Sequence, residues 1–242
     1  MQDFRSPPAV SEAGAPATWL ANLFAVGAAL ACYVALAGLF WRLWRWSRIA
    51  QPMPITLTPA PRTRLGVALR LALEVLVFRT LFRASPVTWL GCVLMHYGLL
   101  LVLLLHLRFL WPSTPLWLIP LISWSTAANL ALVAGLALLV CRRVFVARIR
   151  YVSIPSDFAW LGLLLIIAAS GIALKRTGAA DPYAVGRFLR SALQFDVLPL
   201  AGSLVLWLHL FAVMALIVLF PFGKLLHAPG ILFAPTLNSR AP

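Results

Sequence analysis

Residues 19–41 run for 23 positions without one charged side chain, and Arg42, Arg45 and Arg48 follow at once. A helix needs about 20 apolar residues to cross the hydrocarbon core of a bilayer. In that medium each backbone N–H and C=O must be satisfied inside its own segment, so the run can only be a helix. The basic stop behind it marks a retained span rather than a cleaved leader. Four more apolar runs follow, at 86–107, about 116–141, 158–174 and 197–222. With 62% hydrophobic residues and a mean hydropathy of +0.95, the chain has no room for a sizeable soluble domain. These runs predict an all-α integral membrane protein, a bundle of five transmembrane helices.

The formal charge of +14 would suggest nucleic acid in a soluble chain, but here the cations cluster at the ends of apolar runs. They are read as topology signals and contacts to membrane lipid, with no nucleic-acid partner. If the first helix runs outside to inside, the inner segments hold 14 of the 20 lysines and arginines and the outer segments 6. That asymmetry places the N-terminus in the periplasm and the C-terminus in the cytoplasm of a multi-pass protein of the bacterial inner membrane. Residues 1–17 read as a flexible tail, 18–230 as the membrane domain and 231–242 as a cytoplasmic tail.

Within the membrane domain, 49–85 is the longest inner connection. Its prolines in "QPMPITLTPAPRT" break any helix. The following "RLGVALRLALEVLVFRTLFRAS" suits a helix along the cytoplasmic interface, since a sixth crossing would bury several charges. "TGAADPYAVGRFLRSALQFD" reads as a short outer surface helix. Cys32, Cys92 and Cys141 lie in or beside apolar runs with no CxxC, so the chain builds no iron–sulfur cluster or c-type haem attachment of its own. They are expected to be buried small hydrophobes.

Chemistry enters with the four histidines. His96 and His106 lie on the second run, and His209 and His227 are assigned to the fifth. Ionisable groups inside a membrane are costly and mark function by default, and neutral imidazole is a common metal ligand. Ten residues, about 15 Å of helix, separate the first pair; eighteen, about 27 Å and five whole turns, separate the second. Because the two spans run in opposite directions, His106 should meet His209 near the outer leaflet and His96 should meet His227 near the inner one. The mismatch in length leaves about 6 Å of height to absorb within each pair. A flat macrocycle clamped between two imidazoles absorbs it, so two stacked b-type haems fit. A tetrahedral zinc site, which needs all its ligands around one ion, does not.

The stretches "HYGLLLVLLLH", "CRRVFVARIRYVSIPSDF" and "LHLFAVMALIVLFPFGKLLHAP" resemble the gamma subunit of respiratory nitrate reductase and related di-haem membrane cytochromes b, over residues 86–229. The resemblance implies that His106 and His209 ligate the iron of an outer haem b and His96 and His227 that of an inner one. The proline-rich segment with its amphipathic helix looks more like the cytochrome b subunit of the sulfite-reduction-associated Dsr membrane complex, DsrM. That likeness implies a cytoplasmic iron–sulfur partner resembling the catalytic subunit of heterodisulfide reductase. It also implies periplasmic multihaem cytochrome c and further membrane subunits. The quinol-site lysine found in the family at the start of the third span has no counterpart in "WPSTPLWLIPLISWSTAAN".

The expected function is electron transfer between the quinone pool and a subunit on the inner face of a sulfur-metabolism complex, since no catalytic acid, base or nucleophile set is visible. Arg142, Arg143 and Lys224 are candidates for the anionic propionates of the inner haem and Arg108 for those of the outer one, or else topology anchors. His106, Arg108 and Lys175 are the outer candidates for quinone proton chemistry. Alternatives are a nitrate-reductase-like or heterodisulfide-reductase-like gamma subunit. A proton-coupled transporter is a different class; it should add buried carboxylates, whereas Asp157, Asp181 and Asp196 read as helix-end or loop residues.

Overall fold

The computed structural model describes residues 15–49 and 60–234. The N-terminal tail up to residue 14, the proline-rich stretch 50–59 and the C-terminal tail from 235 lie outside the described residues. The described residues are mostly helical and include no strand. Five of its helices are long and apolar enough to cross a membrane.

The helices are α1 (Ala15–Arg48), α2 (Arg64–Val77), α3 (Arg79–Ala84), α4 (Pro86–His106), α5 (Ile119–Ile122), α6 (Ser125–Phe145), α7 (Ala147–Tyr151), α8 (Pro155–Thr177), α9 (Pro182–Leu193), α10 (Leu204–Leu219) and α11 (His227–Gly230). The spans are α1, α4, α6, α8 and, through Phe222, α10. Their starts are written locally. Ser85 and Ser203 accept from the Thr88 and Leu206 amides, and Pro86 and Pro155 fill first-turn positions where no N–H is needed.

Four boundaries differ from those read in the sequence. Helix α1 continues through Arg42 and Arg45 to Arg48, because long basic side chains can snorkel from a helix end. The third span starts at Ser125, not Leu116, since residues 116–122 wind as short turns around Pro115 and Pro120. The interfacial helix is two helices meeting at Phe78, whose φ of 51° is left-handed. Helix α10 ends at Leu219, where Pro221 and an extended Gly223 redirect the chain. The cysteines are also not in the core: Cys32 and Cys141 are exposed and Cys92 is half-buried, because the apolar neighbour of a membrane helix is as often lipid as protein.

Around the bundle α4 packs on α6, α6 on α8, α8 on α10 and α10 on α1, and α4 with α6 is the most extensive of these contacts. Without a hydrophobic driving force between helices in lipid, close approach depends on small residues. A Cβ on Gly98 would fall 2.6 Å from the Leu132 amide nitrogen, and one on Gly135 2.5 Å from that of Met95, so backbone meets backbone there. Helix α9 lies across the end of the bundle, with Val185 and Phe188 buried against Phe24 of α1 and Trp207 of α10.

Gly135→Ala should therefore force α4 and α6 apart at a cost of about 1–3 kcal/mol, the usual penalty of overpacking. Gly162→Ala, whose Cβ would meet nothing within 4 Å, should be neutral. Thermal unfolding in detergent, monitored by helical circular dichroism, compares the two.

Candidate functional site

Helices α4 and α10 are not close backbone neighbours in the bundle, yet they carry three of the four histidines. Their imidazoles meet across the space between them at two levels. At one end the ring centroids of His96 and His227 are 5.9 Å apart with planes at 89°. At the other end those of His106 and His209 are 6.3 Å apart with planes at 20°. His106 lies ten residues beyond His96 on α4, so the levels are about 15 Å apart along the axis.

The end of α10 explains why the levels match. Leu219 is ten residues past His209, the same interval that separates His96 from His106. Had the helix continued, His227 would lie about 12 Å too far along. Instead residues 220–227 coil in short turns beside His96. The expectation that His227 sits on the fifth helix, five whole turns beyond His209, is corrected by this break. The height mismatch derived from it disappears as well.

Each imidazole is oriented through the same atom. His96 Nδ1 faces the Cys92 carbonyl at 2.8 Å, His106 Nδ1 the Val102 carbonyl at 2.7 Å and His227 Nδ1 the Lys224 carbonyl at 2.9 Å. A carbonyl only accepts, so Nδ1 of these three carries the proton and donates. His209 Nδ1 lies 2.9 Å from Ser170 Oγ, whose own hydroxyl donates to the Ile166 carbonyl at 2.7 Å. With that proton on the Ile166 carbonyl, or on that of Ile167 at 3.0 Å, Ser170 accepts from His209 Nδ1. Three rings therefore keep the Nε2 lone pair for a ligand, and His209 does so in this arrangement of the serine hydroxyl, the tautomer that histidine adopts as an oriented metal ligand.

The spacing can be compared with axial ligation. A metal–imidazole bond of about 2.0 Å, with ring nitrogen about 1.1 Å from ring centre, sets two trans imidazoles with centroids about 6.2 Å apart. Both pairs are within a few tenths of that value. Among the described residues no three His, Cys, Asp or Glu side chains gather where they could share an ion. Each pair thus brings two imidazoles to the separation that two ligands of one metal would take, and a group held there would have to supply the remaining donors itself, as a haem would.

The basic candidates divide. Arg108 stacks its guanidinium 4.9 Å from the Phe109 ring, and its buried Nε has no partner among the described residues, which would suit the acidic edge of a group bound near His106. Arg142 borders a cavity of about 230 Å³ with Thr88, Cys92 and Arg143. Arg143 and Lys224 are engaged elsewhere, by the carboxylate of Asp157: Arg143 Nη1 is 2.9 Å from Oδ2, and the Lys224 ammonium pairs with Oδ1. Asp157 lies in the first turn of α8 and is 6% exposed. Sequence reasoning placed it at a helix end and missed that it gathers both cations. The signal was there: it is one of only six acidic residues, flanked by the basic ends of two other segments.

Four aromatic and polar residues around this end were also missed. Phe78, at the turn between α2 and α3, lies 5.0 Å ring to ring from His96. Tyr97 Oη and Trp89 Nε1 donate to the Leu76 and Val77 carbonyls, and Glu74 accepts from the Thr80 amide and hydroxyl. At the opposite end the Lys175 ammonium donates to the hydroxyls of Ser125 and Thr126. The start of the third span, which has no basic residue of its own, thus receives a cation from the end of α8.

The family model for the nitrate reductase gamma subunit matches residues 80–238. The chain is 31% identical over 258 residues to the Hdr-like menaquinol oxidoreductase cytochrome b-like subunit of Archaeoglobus fulgidus, covering 85% of this chain and 77% of that protein. It is 28% identical over 247 residues to the subunit of the same description from Archaeoglobus profundus, covering 83% of this chain and 74% of that one.

Nitrogen-15 NMR of histidine-labelled protein in its metal-free form should show four Nδ1-protonated rings. Ser170→Ala should disturb His209 alone, with the loss of one hydrogen bond, about 0.5–1.5 kcal/mol. A resonance pattern unchanged by the substitution would mean that Ser170 does not orient that ring.

Proposed function

The chain belongs to the nitrate reductase gamma subunit family, and from that premise we propose that it is the di-haem cytochrome b subunit of a membrane quinol oxidoreductase. In this reading it passes electrons between the quinone pool and an iron–sulfur subunit on the inner face, in a complex of the Dsr type. The observation that carries the reading is the pair of imidazole couples at two levels, with ring centroids 5.9 and 6.3 Å apart and each Nδ1 engaged within the protein. The cytochrome b-like and menaquinol oxidoreductase descriptions of its relatives support it.

His96 and His227 would hold the inner group and His106 and His209 the outer one. A haem b at each level supplies one-electron exchange at its iron. The residues of the chain do the rest. The carbonyl and hydroxyl partners fix each ring and make Nε2 more basic, and the apolar walls of α4, α6, α8 and α10 keep water from the space between the levels. Arg108 offers its unpartnered Nε–H to a propionate of the outer haem. Arg142 stands where it serves an anionic edge at the inner end.

Quinone chemistry requires a proton donor or acceptor beside one haem. On the outer side His106, Arg108 and Lys175 remain the candidates. The Lys175 ammonium, held over the start of α6, puts a positive group where the third span lacks one of its own. On the inner side the α2–α3 elbow sets Phe78 against His96 and is followed by the exposed Arg79 and Arg83 on α3, which suits docking of the heterodisulfide-reductase-like iron–sulfur partner. Periplasmic multihaem cytochrome c and other membrane subunits complete the assembly in this reading. The charge asymmetry supports a periplasmic N-terminus and a cytoplasmic C-terminus. The sequence reading puts the complex in a bacterial inner membrane; the two relatives are archaeal.

A transporter reading gains little from Asp157. Its carboxylate is buried, but it lies in the first turn of α8 and is neutralised by two cations rather than standing free within the span.

A pyridine haemochrome assay of the purified chain should give two extractable haems b per polypeptide; no haem, or covalent haem, would end the proposal. Replacing His96 or His227 by Ala should remove one and the same haem, and replacing His106 or His209 the other, each halving the haem content. Crosslinkers placed between residues 64 and 83 should reach the iron–sulfur partner. Crosslinks exclusively to periplasmic subunits would reverse the proposed orientation.

A further inference from the structure

Three of the four histidines ride on long helices, and His227 does not. Helix α10 has ended eight residues earlier, and the four-residue α11 that His227 opens cannot hold a position by itself. What fixes His227 must therefore be tertiary. Three anchors act on residues 221–224. Pro221 is buried against α1, where a Cβ on Gly38 would fall 2.8 Å from its ring. Gly223 lies under the indole of Trp160, so close that any side chain there would overlap the ring. Lys224 is paired with Asp157.

Of these anchors the last reaches the ligand most directly. The same Lys224 whose ammonium pairs with Asp157 offers its carbonyl to His227 Nδ1 at 2.9 Å. Asp157 is itself immobile: Oδ2 accepts from the Ile154 amide at 3.2 Å and from Arg143, whose Nη1 also donates to Ser153 Oγ at 2.8 Å. A carboxylate with only 5% of its side chain exposed, joined to α6, α8 and the segment after α10, keeps its partners because each oxygen is satisfied by one cation and little water can reach it to replace them.

We propose that Asp157 is the positioning residue for His227, acting through Lys224: the ion pair sets the place of the Lys224 backbone, and the Lys224 carbonyl sets the tautomer and ring orientation of His227. Arg143 locks Asp157 to α6 and so ties the ligand to the helix that packs on α4. Two cations expected at the membrane surface or on haem propionates thus have a different task. The inference rests on the di-haem reading for the identity of what His227 ligates, but not for the geometry.

Two measurements test it on the full chain. In the haem-loaded protein, Asp157→Asn, which keeps the size of the side chain, and Lys224→Met should each weaken retention of one haem about 10-fold against transfer to apomyoglobin and shift its midpoint potential, leaving the His106–His209 haem as in the parent. Lys224→Arg should restore retention, and the Asp157→Asn/Lys224→Met double variant should be no worse than the poorer single one. Parent-like retention and potential in both single variants would overturn the proposal. Equal loss of both haems would also do so, since it would make Asp157 a general support of the fold.

The second measurement needs no haem. Spin labels at Thr88→Cys and Ala228→Cys, in a chain whose native cysteines are replaced by Ala, should give one narrow distance in the parent and a broadened distribution with Asp157→Asn. An unchanged distribution would overturn the proposal whether or not the parent binds haem. A parent without haem but with the expected broadening would sink the di-haem reading alone.

Discussion

A polar group placed in hydrocarbon must find its partner within the protein, and this requirement organises the whole chain. It forces the backbone into helices and forbids a polar side chain that has no task. It also explains the economy of the histidines. Each spends Nδ1 on a fixed internal acceptor, three of them on a carbonyl three or four residues back and His209 on the Ser170 hydroxyl. The same demand concentrates charge at the ends of the bundle. There Asp157 balances Arg143 and Lys224, and Lys175 reaches across to Ser125 and Thr126.

Where lipid is the solvent, burying apolar surface does not hold helices together. Close packing does, and it is unevenly distributed. Helices α4 and α6 meet backbone to backbone at Gly98 and Gly135, whereas α1 is held by aromatic contacts of Phe24 with Phe188, Trp207 and Phe211 at one end and by Pro221 against Gly38 towards the other. Helices α4 and α10 have α6 and α8 between them around the bundle, and the imidazoles of α4 meet His209 on α10 and His227 beyond its end. This arrangement separates the job of holding the bundle from the job of holding a cofactor.

Much of this was legible in the sequence because hydrophobic length and charge asymmetry are additive along the chain. The five spans, the surface helix at 182–193 and the partnering of His96 with His227 and of His106 with His209 follow from run lengths and direction alone. Three of the failures share a cause: each needed a contact between distant residues. "FPFGKLLH" reads as the continuation of a helix until Gly38 and Trp160 are seen to have room only for a chain that turns at Pro221 and Gly223. The left-handed Phe78 could not be read either, because the hydrogen bonds that hold it come from Tyr97 and Trp89, on a different helix. Nor could the task of Asp157, whose partners lie 14 and 67 residues away.

The two imidazole couples differ in one respect that sequence spacing cannot encode. The planes of His106 and His209 are inclined by 20°, those of His96 and His227 by 89°. For low-spin ferric iron, nearly parallel axial rings split the two d orbitals that point at the macrocycle nitrogens' π system, because both rings donate into the same one. Crossed rings donate into both and leave them close in energy. The first geometry gives a rhombic magnetic ground state, the second a strongly axial one. If each couple holds a haem as proposed, a coil after Leu219 that turns one imidazole by a quarter circle would therefore make the two centres electronically unlike, although each would have two histidine ligands.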